Sequence, residues 1–159
     1  MVFLDESGVN TDLTRLYGRA PSSQRAVDHA PLNTPRTTTI FSSIRFDGEK
    51  AFTTYQEGTT GERFVQYLKE TLLPTLRSGD IVMMDNMRSH RIKAVREILD
   101  AKSIGLIYLP PYSPDLNPIE KMRSKVKTIL RKWKVRSLDL LPDAIRAALS
   151  CVSPLDCQH

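Results

Sequence analysis

The sequence predicts an α/β domain: a mixed five-stranded sheet, three antiparallel strands and then two parallel ones, flanked by helices. Three observations lead there. Apolar and β-branched runs follow the order strand, strand, strand, helix, strand, helix, strand, helix, helix. The early strands are joined without a helix, whereas the later ones alternate with helical patterns, which implies parallel crossovers. The first and fourth strands both end on an aspartate, so pairing them side by side would bring two acids to one edge.

Each element has a local reason. "MVFLDES" is a short apolar run ending in acid, read as a buried strand. Residues 8 to 35 carry Gly8, Gly18, Pro21, Pro31 and Pro35 and read as an irregular excursion. "TTTIFSSIRF" and "KAFTTYQ" are β-branched and aromatic, and the "DGE" between them predicts a hairpin. A helix is expected from near Thr59, capped through a Thr-x-x-Glu box to Glu62. Phe64, Leu68, Leu72 and Leu76 share its face, Pro74 kinks its last turn and Gly79 marks its stop. "DIVMMD" is the next strand. Ser89 is the expected cap of a helix with Ile92, Val95, Ile98 and Leu99 on its apolar side. "IGLIYLP" reads as another buried strand, and "PPYSPDLNP" as a rigid turn. A long helix from about Pro118 to about Arg136 follows, with Ile119, Met122, Val126, Ile129 and Trp133 toward the core. A last helix is expected over about 139 to 150. This order, with two acids at one sheet edge, belongs to the ribonuclease H-like class.

Composition narrows the function. With 159 residues, 40% hydrophobic and 26% charged, the chain fits one soluble globular domain. No apolar run reaches membrane-spanning length, and Asp5 and Glu6 interrupt the first hydrophobic stretch, so neither a membrane partner nor a signal peptide is expected. Cys151 and Cys157 suggest neither a disulfide framework nor a zinc site. A cytoplasmic protein is expected. Between Lys121 and Arg136 stand eight Lys or Arg and no acid; of 23 basic and 18 acidic residues, 15 basic ones remain outside that segment. The positive excess therefore lies in one C-terminal stripe, which favours a polyanionic partner, nucleic acid above all.

Asp5 and Asp85 are the first candidate ligands of a hard cation. Glu120 has two readings. Asn117 is a good helix cap and Pro118 a good first residue, so Glu120 can simply close a capping box. It can equally be a third carboxylate. Asn86 and His90 read locally as a loop amide and a helix-start histidine. Glu6 is expected on the opposite face from Asp5. Trp133 is read as packing.

The strings "FLDES", "MDNMRSH" and "LPPYSPDLNPIEKMRSKVK" together resemble the catalytic domain of mariner-type transposases carried by bacterial insertion sequences (the IS-six-thirty branch). These belong to the Asp-Asp-Glu superfamily. Thirty-four residues separate Asp85 from Glu120, the interval the resemblance leads one to expect. It covers nearly the whole chain and implies a ribonuclease H-like catalytic domain over 1–150, with a tail over 151–159.

The implied chemistry is cleavage at transposon ends followed by attack of the freed 3′ hydroxyl on target DNA, a TA dinucleotide in this resemblance. Asp5, Asp85 and Glu120 would hold two Mg²⁺ (or Mn²⁺) ions. Two such ions about 3.5–4 Å apart can clamp the attacking and leaving oxygens. Asn86, His90 and Asn117 would support the ligands or lie near DNA. Lys121, Arg123, Lys125, Lys127 and Arg131 would contact the backbone of double-stranded DNA. Relatives carry Trp where this chain has Arg123, expected either to weaken packing beneath the site or to face outward onto phosphate. Relatives also carry N-terminal helix-turn-helix domains that this sequence lacks, so the chain is expected to be a separately encoded catalytic half with its own DNA-binding partner, a truncated copy or an excised fragment. Relatives act as dimers, so the resemblance implies a homodimer, bacterial and nucleoid-associated. A ribonuclease H-like nuclease without strand transfer, and a catalytically silent DNA-binding remnant, stay open as alternatives.

Overall fold

Alternation along Val2–Val9 (β1) sends Phe3, Asp5, Ser7 and Val9 to one face of the sheet and Val2, Leu4 and Glu6 to the other. The computed structural model describes residues 1–15, 17–32, 36–110, 113, 117–153 and 156. Most of the proline-rich turn string, Cys157 and His159 therefore lie outside the described residues. Thr38–Arg45 (β2) and Lys50–Gln56 (β3) form the expected hairpin. Gly48, at φ 90°, closes the turn in a conformation that disfavours side chains, and its N–H donates to Arg45 O at 2.9 Å. Ile81–Met84 (β4) and Gly105–Tyr108 (β5) complete a sheet of order β3-β2-β1-β4-β5. β1 runs antiparallel to β2 and parallel to β4, and β5 is parallel to β4, as the sequence predicts.

Helices cover both faces. Phe3, Val9, Ile40 and Ile44 pack against Ile119–Trp133 (α3) and Leu141–Ser150 (α4). Val2, Leu4, Phe41, Val82 and Met84 pack against Gly61–Tyr67 (α1), its continuation and Lys93–Asp100 (α2). Phe41 is fully buried and stacks on Tyr67 at 5.5 Å between centroids. The Tyr67 hydroxyl donates to Ala51 O, so this large side chain is buried without a stranded polar end. The Lys50 ammonium donates to Leu149 O and Val152 O, tying the end of α4, where carbonyls lack helical partners, to β3.

Several local expectations are corrected. Thr60, not Thr59, caps α1 by accepting from the Arg63 N–H, so the box to Glu62 does not form. The helix loosens into a π turn over Leu68–Leu72 and a 3-10 turn over Leu73–Thr75, where Pro74 cannot supply an N–H. It stops there, and Gly79, at φ 84°, serves the turn into β4 instead. Ser89 caps nothing; it lies in a 3-10 turn, Arg88–His90, and α2 begins at Lys93 without a side-chain cap. β5 is a sheet edge with Ile107 exposed, not a buried strand. In α3 the inward residue of the last turn is Leu130; Trp133 is 44% exposed, because the helix ends beside it at left-handed Lys134.

One ion pair pins the sheet below the site. Arg45 at the end of β2 makes a two-pronged contact with Asp80, both bonds 2.7 Å, and also donates to Thr75 O. Hydrogen bonding by Arg45 holds the Asp80 carboxyl down at about 2. A depressed carboxyl stabilises the fold above its ordinary value near 4, and that contribution is lost as pH falls through 2. Asp80→Asn leaves Arg45 buried and half-paired and is expected to lower unfolding free energy at pH 7 by about 3 kcal/mol. Urea denaturation at pH 7 and pH 2 checks this, since the deficit should shrink in acid.

Candidate active site

Pairing between β1 and β4 stops at Leu4 opposite Met84. Beyond that point β1 continues with β2 alone as far as Val9, so the first strand does not end at Asp5 as expected; the chain after β4 turns away, and the next residues, Asp5 and Asp85, flank an opening where the two parallel strands part at the carboxyl end of β4. Crevices of this kind are where open α/β sheets place ligands. The first turn of α3 adds Glu120. All three acids line one cleft of about 570 Å³, together with Asn86, Asn117 and Arg123. The structure thus gathers residues from three separate stretches of sequence.

Asp5 is 5% exposed and sits on the α3 side of β1. Its Oδ1 accepts the Glu6 N–H at 2.7 Å, and its Oδ2 accepts from Arg123 Nη1. The same Nη1 donates to Glu120 Oε1 at 2.8 Å. Burial raises the Asp5 carboxyl to about 6; Arg123 and the Glu6 N–H oppose that shift, while Glu120 and Asp85 add to it. Arg123 is therefore corrected from an outward phosphate contact to an inward bridge between two acids. Residues three apart on a helix share a face, so the sequence carried the signal that Arg123 accompanies Glu120.

Asp85 leans the other way. Its Oδ1 is 2.5 Å from His90 Nδ1, and His90 Nε2 is 3.8 Å from Glu6 Oε2. His90 is fully buried and lies against the Phe64 ring at 4.1 Å between centroids. Neither ring nitrogen makes an aligned hydrogen bond, so charge attraction holds the group. Burial pulls the imidazole down, but Asp85 and then Glu6 outweigh it and raise its pKa to about 9. Glu6 does face away from Asp5, as alternation predicts, yet it reaches the cleft rim and pairs with His90. Parity could not reveal that, because the histidine arrives from a distant turn.

Asn117 does not cap α3 with its side chain. Pro118 occupies the cap position, and only the Asn117 backbone carbonyl accepts, from the Glu120 N–H at 3.1 Å. Asn117 Oδ1 and Asn86 Oδ1 are buried without hydrogen-bond partners among the described residues. Among the described residues no three His, Cys, Asp or Glu side chains stand close enough to share a metal ion. The donor chemistry nevertheless fits a hard divalent cation: the acids supply oxygen ligands, and the Arg123 guanidinium already stands in as their positive charge.

The basic stripe divides into different tasks. Lys121 is exposed, and Arg131 is half-buried. Lys127 is half-buried, and burial with the Arg123 charge holds its amine below the ordinary value. Lys125 pairs with Asp156 at 2.5 Å and Lys134 with Asp28 at 2.6 Å. Arg136 donates to the carbonyls of Thr11, Leu13 and His29, clamping the excursion after β1. Among the described residues no helix is long and apolar enough to cross a membrane.

A raised carboxyl favours the fold when protonated, fully below its ordinary value near 4, and that advantage is lost as pH rises through about 6. Asp5→Asn in the presence of a chelator should therefore stabilise the chain at pH 8, by about 2 kcal/mol, and much less at pH 4. Thermal unfolding at the two pH values measures the difference.

Over residues 1–141 the chain matches the family described as DDE superfamily endonuclease. No curated protein sequence matches it significantly. Its fold is similar to that of the Mos1 transposase paired-end complex with left transposon end, at TM-score 0.76 and 19% identity, covering 99% of this chain and 49% of that one. It is similar to the Mos1 strand transfer complex at TM-score 0.72 and 19% identity, covering 99% and 49%. For the Mos1 transposase catalytic domain with raltegravir and Mg the values are 0.68 and 16%, covering 99% and 74%. The chain spans about half the length of the transposase chains in those two complexes, and the likeness places its fold in the ribonuclease H-like class.

Proposed function

The chain belongs to the DDE superfamily endonuclease family, and from that premise we propose that it is the catalytic domain of a mariner-type transposase of the bacterial insertion-sequence branch. Its reaction is divalent-metal-dependent phosphoryl transfer on double-stranded DNA: hydrolysis at a transposon end, then joining of the freed 3′ hydroxyl to target DNA. One observation carries this reading. Asp5, Asp85 and Glu120, distant in sequence, line a single cleft whose excess negative charge the chain offsets with Arg123.

Two Mg²⁺ or Mn²⁺ ions, when bound, would supply the Lewis acidity that polarises the phosphodiester and stabilises charge on both transferring oxygens. The chain's own residues then have distinct tasks. Asp5 and Asp85 are the principal ligands, and Glu120 completes the set from the first turn of α3. His90, wedged against Phe64, fixes the direction of Asp85. The unpartnered oxygens of Asn86 and Asn117 offer acceptor positions along the cleft. Lys121, Lys127 and Arg131, further along α3, meet DNA phosphates. Residues 1–150 act as the catalytic unit and 151–159 as a tail. Recognition of the element ends is assigned to helix-turn-helix modules outside these residues, and the acting species is a homodimer in the bacterial cytoplasm, at the nucleoid.

A second reading has its own observation. Arg123 inside the acidic cluster favours a DNA-binding remnant that does no chemistry.

Incubation with Mg²⁺ or Mn²⁺ and a labelled duplex carrying a pre-cut 3′ end tests the proposal. Joined product is expected, and Asp85→Ala or Glu120→Ala should lower its rate at least about a hundredfold. Cleavage without joining would leave a plain nuclease. Equal silence of wild type and Asp85→Ala, both still binding DNA, would leave the remnant. Lys121→Ala should weaken DNA binding alike for all sequences and reduce the salt slope by about one.

A further inference from the structure

We propose that Arg123 is the internal counter-ion of the acidic cleft, holding the place between Asp5 and Glu120 that a divalent cation requires, so that metal binds in competition with the chain's own side chain. This rests on the reading of the cleft as a divalent-cation site.

Four observations converge. A single guanidinium nitrogen, Arg123 Nη1, bonds both Asp5 Oδ2 and Glu120 Oε1. One positive centre between two acids is the role a bridging cation plays. The seat is imperfect: Arg123 Nε is buried with no partner, so the guanidinium forgoes a hydrogen bond to stay there. Asn117, 5% exposed and lining the same cleft, has an unpartnered Oδ1, an acceptor that the bridging arginine does not satisfy. With the arginine in place, no three acids among the described residues are close enough to share a metal ion.

The geometry also permits exchange. The Glu120 side chain is 40% exposed and the Arg123 side chain 19%, so both can turn toward the open side of the cleft, whereas Asp5, with its side chain 8% exposed, stays fixed on β1. A cation entering beside Asp5 would recruit Glu120 and displace Arg123 toward the mouth. The released guanidinium would gain water on the nitrogen that is now unpartnered.

The test is calorimetric titration of the full chain with Mn²⁺ alone, on wild type, Arg123→Gln and Arg123→Lys, each checked for folding by circular dichroism. Arg123→Gln, which spares the ion the displacement of a charge-assisted hydrogen bond, is expected to bind Mn²⁺ at least about tenfold more tightly than wild type. Arg123→Lys, which keeps the charge but loses the planar fork, should fall between them. Equal or weaker affinity in Arg123→Gln overturns the counter-ion role while leaving the cation site standing. Should that variant not fold, unchanged or weaker affinity in Arg123→Lys overturns it instead. No Mn²⁺ binding by any of the three would contradict the cation-site reading itself, and the counter-ion role with it.

Discussion

Parallel pairing between β1 and β4 ends after Leu4 and Met84, and the chemistry of this molecule follows from that stop. Up to it, Val2, Leu4, Val82 and Met84 bury completely against α1 and α2. One residue further, both strands present an aspartate where the sheet has opened. A strand boundary set by hydrophobic burial thus becomes the floor of a polar cleft. α3 closes the cleft because its apolar stripe, Ile119, Met122, Val126 and Leu130, lies on the Phe3 and Val9 face of β1. That docking fixes the height at which Glu120 meets Asp5.

Gathering three acids has an electrostatic cost, and the chain offsets it asymmetrically. On the α3 side a permanent cation, Arg123, bridges Asp5 and Glu120. On the opposite side a buried histidine, with its pKa raised to about 9, stands between Asp85 and Glu6. The two halves differ in replaceability. His90 is wedged against Phe64 with no exposure, whereas the Arg123 side chain keeps a solvent-facing edge. The proposed counter-ion role makes Arg123 the exchangeable cation of the two.

The sheet and the acids were legible because both obey short-range rules. Apolar runs marked the first, fourth and fifth strands and β-branching the hairpin; the expectation that the first strand ends at Asp5 is corrected, since β1 runs on to Val9, but its neighbour relation to β4 still brings Asp5 and Asp85 together. The capping details were less legible. Thr59 and Thr60 are adjacent equivalents, and tertiary contacts chose Thr60. Ser89 resembles a cap locally, but the chain needs a 3-10 turn there to bury His90. The basic stripe misled in part: Lys125, Lys134 and Arg136 meet partners far away in sequence, so composition could not separate anchoring cations from those available to phosphate. Trp133 keeps the apolar spacing but is the last residue of α3, where the chain turns at left-handed Lys134 and leaves the ring exposed.

Paramagnetic broadening of backbone amide resonances by substoichiometric Mn²⁺ tests most directly whether the three acids share a cation. Broadening should appear first and together at Asp5, Asp85 and Glu120, and be lost from all three in Asp5→Asn. Broadening that begins elsewhere, such as at the exposed Asp47–Glu49 turn, or that reaches one of the three without the others, would contradict a shared site.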